Sequence, residues 1–176
     1  PNSELQDVDA KGMAVKLTFD SVKGDVLIVV PPHGAGTIAR EAGLVTTNQR
    51  WCAIDWLTCE STAVKGVHVI GDSTLSAPGM PKSASMANQH AKVAAAAVVA
   101  LLEGKPVNPR PMMMNTCYSF VDGRSSMHVA SVHTYDAAQK TMVAVKGAGG
   151  VSTAASELEG TYAWGWARNI WADALG

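Results

Sequence analysis

The sequence predicts an α/β protein, α+β when this chain is taken by itself. Two short β-branched runs, Asp25–Val30 (DVLIVV) and Val67–Ile70 (VHVI), have the composition of strands buried on both faces. A long alanine-rich helix follows, about Ser83 to Glu103. The last third then alternates apolar and polar residues over Met127–Tyr135, as a half-buried strand does, before a terminal helix.

Taken in order, Val15–Asp20 (VKLTFD) alternates and predicts a strand, and Lys23-Gly24-Asp25 a turn into DVLIVV. Ile38–Gly43 allows at most two helical turns, closed by Gly43. VHVI ends in Gly71-Asp72, and a loop rich in Ser, Pro and Gly runs from Ser73 to Pro81. Ser83 or Ser85 can cap the long helix, Ala and Leu fill it, and Gly104 with Pro106 beyond stops it. Lys105–Pro111 (KPVNPRP) reads as a linker. Lys140–Val145 is the expected hairpin partner of Met127–Tyr135, Gly147–Ser152 a flexible turn, and Ser156–Leu175 the terminal helix.

Composition narrows the function. The 176 residues are 47% hydrophobic and 16% charged, with a net charge of −1. That suits a packed core and gives no basic footprint for nucleic acid. The longest apolar run, Val93–Leu102, is too short to span a bilayer. The polar start Pro1-Asn-Ser-Glu lacks a signal peptide and an initiator Met, so the chain is expected to begin mid-protein. Three cysteines do not make a self-contained disulfide framework. Cys52 and Cys59 read as small buried hydrophobes, and the five histidines have no metal-ligand spacing.

The stretch VLIVVPPHGAGT, completed by Ile38 and Ala39, contains a G-x-G-x-x-A. A dinucleotide loop needs its first glycine at the strand end. Here Pro31-Pro32-His33 intervene and the following helix is short, so the fingerprint is disfavoured. A better signal is Gly71-Asp72. A carboxylate behind a glycine can accept hydrogen bonds from sugar-alcohol hydroxyls, as on a ribityl chain. The helix opening at Pro81-Lys-Ser-Ala would favour partial negative charge at its N-terminus.

These features resemble the second flavin-binding motif of two-dinucleotide-domain flavoproteins. More closely, the chain resembles the C-terminal part of the flavoprotein subunit of flavocytochrome c sulfide dehydrogenase. The resemblance is carried by Leu27–Pro32, Arg50–Asp55 (RWCAID), Gly66–Asp72 (GVHVIGD), Met80–Ala97, Asn115–Ser119 (NTCYS) and Tyr162–Gly176. It implies a glutathione-reductase-like architecture. Residues 1–50 would end an NAD-like domain, 51–106 would form the second half of the FAD domain, and 107–176 a C-terminal flavin-binding and interface domain. The first half, with the true phosphate loop, would lie upstream of Pro1.

The resemblance further implies periplasmic sulfide oxidation. Electrons would pass through a redox-active disulfide to FAD and on to a cytochrome c subunit. Cys117 matches one disulfide cysteine, whose partner would lie in the missing half. Gly71 and Asp72 match the ribityl contact, Lys82, Ser83 and Ala84 the helix end facing the isoalloxazine, and Trp166 a tail aromatic near the flavin; a core or interface Trp is the plainer alternative. Cys59 departs from the pattern, and Ser125–Tyr135 does not align readily. No C-x-x-C-H occurs, so the chain attaches no haem. A sulfide:quinone oxidoreductase is the near alternative, disfavoured by a tail with one Arg and no basic face. A docking module for a cytochrome, without catalysis, is the distant one. A chain lacking its first half should self-associate through exposed apolar surface and hold FAD weakly or not at all.

Overall fold

The computed structural model describes residues 3–176. The chain folds as two compact units that divide between His33 and Gly34. The first is a three-stranded antiparallel sheet, β1 (Leu5–Asp9), β2 (Ala14–Leu17) and β3 (Ser21–Lys23), in that order. β2 overlaps the predicted VKLTFD stretch at residues 15–17, while residues 18–20 lie outside the strand. DVLIVV, however, is not a strand. Residues 25–30 run without secondary structure, and Val26, Ile28 and Val30 are exposed, Ile28 at 86%. Composition alone marked it as a buried strand, but among the described residues no strand hydrogen-bonds to it, and an unpaired strand has nothing to bury against.

The second unit opens with α1 (Thr37–Glu41), five residues closed by Gly43 at φ +69°. Ala35 is buried, and its N–H donates to the Arg50 carbonyl at 2.7 Å. Two small antiparallel ribbons follow: β4 (Val45–Thr47) with β5 (Trp51–Cys52), and β6 (Ile54–Asp55) with β7 (Glu60–Ser61). VHVI, expected as a second buried strand, makes only a single bridge, His68 to Glu60. Val69 is buried while Val67 and Ile70 are exposed, so the run buries one apolar side chain and not two faces. His68 is half-buried and satisfied by the Thr58 carbonyl at 2.8 Å.

α2 (Ala84–Leu102) is the helix the sequence announced. Ser83 caps it by accepting the Met86 N–H at 3.0 Å. At its far end Gly104 takes φ +65°, its N–H donates to Leu101, and Lys105 N–H reaches back to Ala100 at 2.8 Å. That paired closure is a Schellman motif, which needs the left-handed residue glycine supplies.

After the 105–111 linker comes a second antiparallel sheet in the order β10-β9-β8: β8 (Met112–Phe120), β9 (Ser126–Asp136) and β10 (Thr141–Val151). β8 and β9 pair in unbroken register from Met112↔Thr134 to Phe120↔Ser126. The expected flexible turn at Gly147–Ser152 is instead largely strand: β10 continues to Val151 through an irregularity between Ala144 and Gly149. A Cβ on Gly149 would lie 2.4 Å from the Ala130 carbonyl oxygen, so the glycine serves close strand approach rather than chain reversal. α3 (Glu157–Leu175) closes the chain, capped by Ser156, which accepts the Glu159 N–H at 3.2 Å.

The core of this unit gathers Cys52, Ile54, Trp56, Cys59, Val69, Met80, Met86, Met113 and Met142. α2 packs along β8, and α3 against β9. The whole is α+β, helices with antiparallel sheets.

Candidate functional site

Gly71, Asp72, Lys82, Ser83 and Ala84 come together where the 71–82 loop meets the start of α2. Gly71 begins a 3-10 turn, Gly71–Ser73, with φ +66°. Its N–H donates to His90 Nδ1 at 3.0 Å, and its carbonyl accepts the Thr74 hydroxyl at 2.8 Å. A Cβ on Gly71 would stand 3.1 Å from Ala87 Cβ, so the turn is pressed onto α2. Asp72 is exposed, and its carboxylate accepts no hydrogen bond among the described residues.

Lys82 is a strut rather than a free cation. Its ammonium donates to the Asp72 carbonyl at 2.8 Å and the Thr74 carbonyl at 2.5 Å, and lies 3.9 Å from the centroid of the Trp51 ring. Burial lowers its pKa, opposed by Asp72 and Cys52. What this corner offers outward is therefore the Asp72 carboxylate and the exposed residues Lys82 and Ala84 at the start of α2.

Ser83 links this corner to the sheet. Its oxygen accepts the Met86 N–H, so its own hydrogen points elsewhere, to Asn115 Oδ1 at 2.5 Å. Asn115 Oδ1 thus faces Ser83, and both ends of the amide lie 3.6 Å from Cys117 Sγ: Nδ2 can donate to the sulfur and Oδ1 can accept from the thiol. The Thr116 N–H, on the free edge of β8, donates to Ser85 Oγ at 3.1 Å. Cys117 is half-buried, whereas Cys52 and Cys59 are completely buried; all three are free thiols. Burial raises the Cys52 thiol against the pull of Lys82. Burial pushes Cys59 up to about 12, with Asp55 adding to it. Their reading as small buried residues holds.

Trp166 lies elsewhere. Side chains alternate along β8. Met113 and Asn115 are buried on the core-facing side, which Cys117 shares, and Met112 and Met114 are exposed on the other. Tyr118 belongs to that second face, where its ring meets Trp166 at 5.8 Å, and Phe120 meets Trp164 at 6.0 Å. The structure thus gathers the glycine–aspartate turn, the α2 cap and Cys117 in one hydrogen-bonded series, and sets Trp166 on the opposite face of the strand.

Asn115 and His90 were not singled out in the sequence. Asn115 stands two residues before Cys117, hence on the same face. His90 stands seven after Ser83, two helical turns along one side of α2. Those periodicities were the available signals. A third cluster ties α3 to the sheet: Glu159 Oε2 accepts from Ser152 Oγ at 2.6 Å and lies 2.9 Å from His128 Nδ1. Ser-x-x-Glu at 156–159 has a capping-box pattern, but the glutamate is drawn to Ser152 and His128 instead. Both contact the same imidazole nitrogen, so this is a packing clasp and not a relay of the triad kind.

Residues 109–175 match the family model described as flavocytochrome c sulphide dehydrogenase, flavin-binding. The matched segment carries Cys117 and Trp166, and its likeness to a flavin-binding domain fits a flavoprotein fragment. The match supports a relationship, through this segment, to the flavoprotein subunit of flavocytochrome c sulphide dehydrogenase. Among the described residues, no helix is long and apolar enough to cross a membrane.

Proposed function

We propose that this chain is the C-terminal part of an FAD-dependent sulfide dehydrogenase. The observation that carries the reading is the flavin-binding family match over the strand that bears Cys117, tied through Asn115 and Ser83 to the Gly71-Asp72 turn. The residues fit a flavin. Asp72 presents an uncommitted carboxylate suited to ribityl hydroxyls, and the N-terminus of α2 lies beside it, with Lys82 and Ala84 exposed. FAD, when bound, supplies the two-electron acceptor.

Cys117 is one half of a redox disulfide whose other cysteine is not Cys52 or Cys59, both of which are sealed in the core. Sulfide attacks that disulfide; a new S–S bond forms, the old one breaks, and the displaced cysteine leaves as a thiolate carrying the electron pair. The Asn115 amide stands ready to donate a hydrogen bond to sulfur at Cys117. Electrons then leave to a cytochrome c subunit, in the periplasm. In this reading residues 1–50 end an NAD-like domain, 51–106 belong to the FAD domain and 107–176 to the C-terminal domain. An anaerobic sulfide titration of the flavoprotein that carries this chain tests it: sulfide should bleach the flavin, and Cys117→Ser should abolish the bleaching. Full bleaching by the variant would sink the reading.

A second reading rests on α3. Trp164 and Trp171 are about half exposed, with Tyr162 beside them, and such aromatics suit a docking face for the cytochrome. Trp164→Ala should then weaken cytochrome reduction without changing flavin bleaching.

A further inference from the structure

We propose that His90 is the positioning residue of the flavin-facing turn: through an unprotonated Nδ1 it accepts the Gly71 N–H and so sets where the Asp72 carboxylate stands. The flavin part of this role rests on the function proposed above; the grip on the turn does not.

The geometry is specific. His90 is on the buried side of α2, and Gly71 N lies 3.0 Å from its Nδ1. A ring nitrogen that accepts cannot carry a hydrogen, so the proton of the neutral ring sits on Nε2, which faces Met80 Sδ at 3.5 Å. The Trp56 ring meets the imidazole edge-on at 5.4 Å, and the Cys59 thiol lies 3.7 Å from the His90 carbonyl oxygen. The ring is therefore held on every side with one tautomer. One turn earlier on the same helix, Ala87 stands so near that a Cβ added to Gly71 would lie 3.1 Å from its own Cβ. α2 thus holds the turn at two points, a contact at Ala87 and a hydrogen bond at His90, and the Asp72 carboxylate follows one residue on.

A protonated His90 could not accept this hydrogen bond. The charged groups facing it are the Lys82 ammonium, which disfavours protonation, and the Asp72 carboxylate, which favours it. Burial is the larger influence, and together they hold the imidazole down at about 4. The grip is thus intact through neutral and mildly acidic solution.

Nitrogen-15 NMR on the 176-residue chain reads the tautomer directly. The expected result between about pH 8 and pH 5 is a bare Nδ1, a protonated Nε2 and a Gly71 amide protected from exchange. His90→Leu should speed Gly71 exchange by about tenfold or more, and His90→Gln, whose amide oxygen can accept, should restore much of the protection. In the flavin-loaded protein, His90→Leu should weaken FAD retention by about tenfold and His90→Gln by less. If His90→Leu does not fold, the tautomer and the acid titration of Gly71 in the unaltered chain still decide. A protonated Nδ1 at neutral pH, or a Gly71 amide as protected in His90→Leu as before, overturns the proposal. A turn that loosens as expected while Asp72→Ala leaves FAD affinity unchanged upholds the grip and overturns the flavin reading instead.

Discussion

Replacing Gly71 with alanine should cost more than strain alone. The residue holds φ +66°, where an L side chain costs about 1–2 kcal/mol. The new Cβ would also sit 3.1 Å from Ala87 Cβ, tighter than ordinary contact, so turn and helix must part by a few tenths of an ångström. Overpacking of that size adds about 1 kcal/mol. The sum, about 2–3 kcal/mol, lowers Tm by about 4–10 °C for a unit of this size. Gly66→Ala is the matched control: φ is +77° there, but nothing lies within 4 Å of the added atom, so only the backbone cost applies. The assay is tryptophan fluorescence during denaturation. Trp51, Trp56, Trp164, Trp166 and Trp171 are all in the Gly34–Gly176 unit, so the signal reports on that unit alone. If the two variants unfold within about 0.5 kcal/mol of each other, Ala87 does not press on the turn, and the two-point grip of α2 is refuted.

Gly160→Ala should be worse, since its Cβ would fall 1.7 Å from the Arg124 carbonyl oxygen; α3 must lift off the 122–125 turn, and near-ultraviolet circular dichroism should lose the Tyr118–Trp166 packing signal along with more than about 3 kcal/mol of stability. Glu159 is held below the ordinary carboxylate range by the Ser152 hydroxyl first and His128 second. Its stabilisation is therefore complete above the unfolded glutamate value and is lost as pH falls through the lower folded one; urea midpoints should drop below about pH 4.5, and less steeply in Ser152→Ala. A thiol reagent at neutral pH should label Cys117 in the folded chain and reach Cys52 and Cys59 only on unfolding, a pattern that peptide mapping would contradict if either buried cysteine reacted early. Exposed Val26, Ile28, Val30, Leu102 and Leu175 should drive self-association, seen as a sedimentation coefficient that rises with concentration.

Local chemistry was legible where it acts locally. The cap at Ser83, the alanine body of α2 and the glycine at 104 all act within a turn of themselves, and the helix lies where they put it. So do the cap of α3 and the hairpin of β9 with β10. DVLIVV and VHVI show the limit. Both are rich in β-branched residues, but a strand exists only when another strand accepts its hydrogen bonds, and composition does not name that partner. Gly147–Ser152 misled for a related reason: the need for Gly149 comes from the Ala130 carbonyl across the sheet. In the site, the glycine–aspartate turn and the helix cap were visible as a motif. Asn115 and His90 were not, because their roles come from contacts with Ser83 and Gly71, 32 and 19 residues away in sequence.

The placement of Cys117 and Trp166 has its own consequence. Adjacent residues on a strand face opposite ways, so Cys117 shares a side with Asn115 and the cap of α2, and Tyr118 shares one with Trp166 and α3. β8 therefore separates a sulfur-bearing face from an aromatic one. The direct covalent link between the two faces is the peptide bond between Cys117 and Tyr118, and the two helices meet only near the end of α3, where Asn88 and Lys92 of α2 reach Asp173. Substitutions on the two faces should accordingly combine almost additively, as they do for sites without shared contacts. Strong coupling between them would have to pass through a contact that reaches both sides, and the Lys92–Asp173 ion pair between α2 and α3 is the contact in the structure able to carry it.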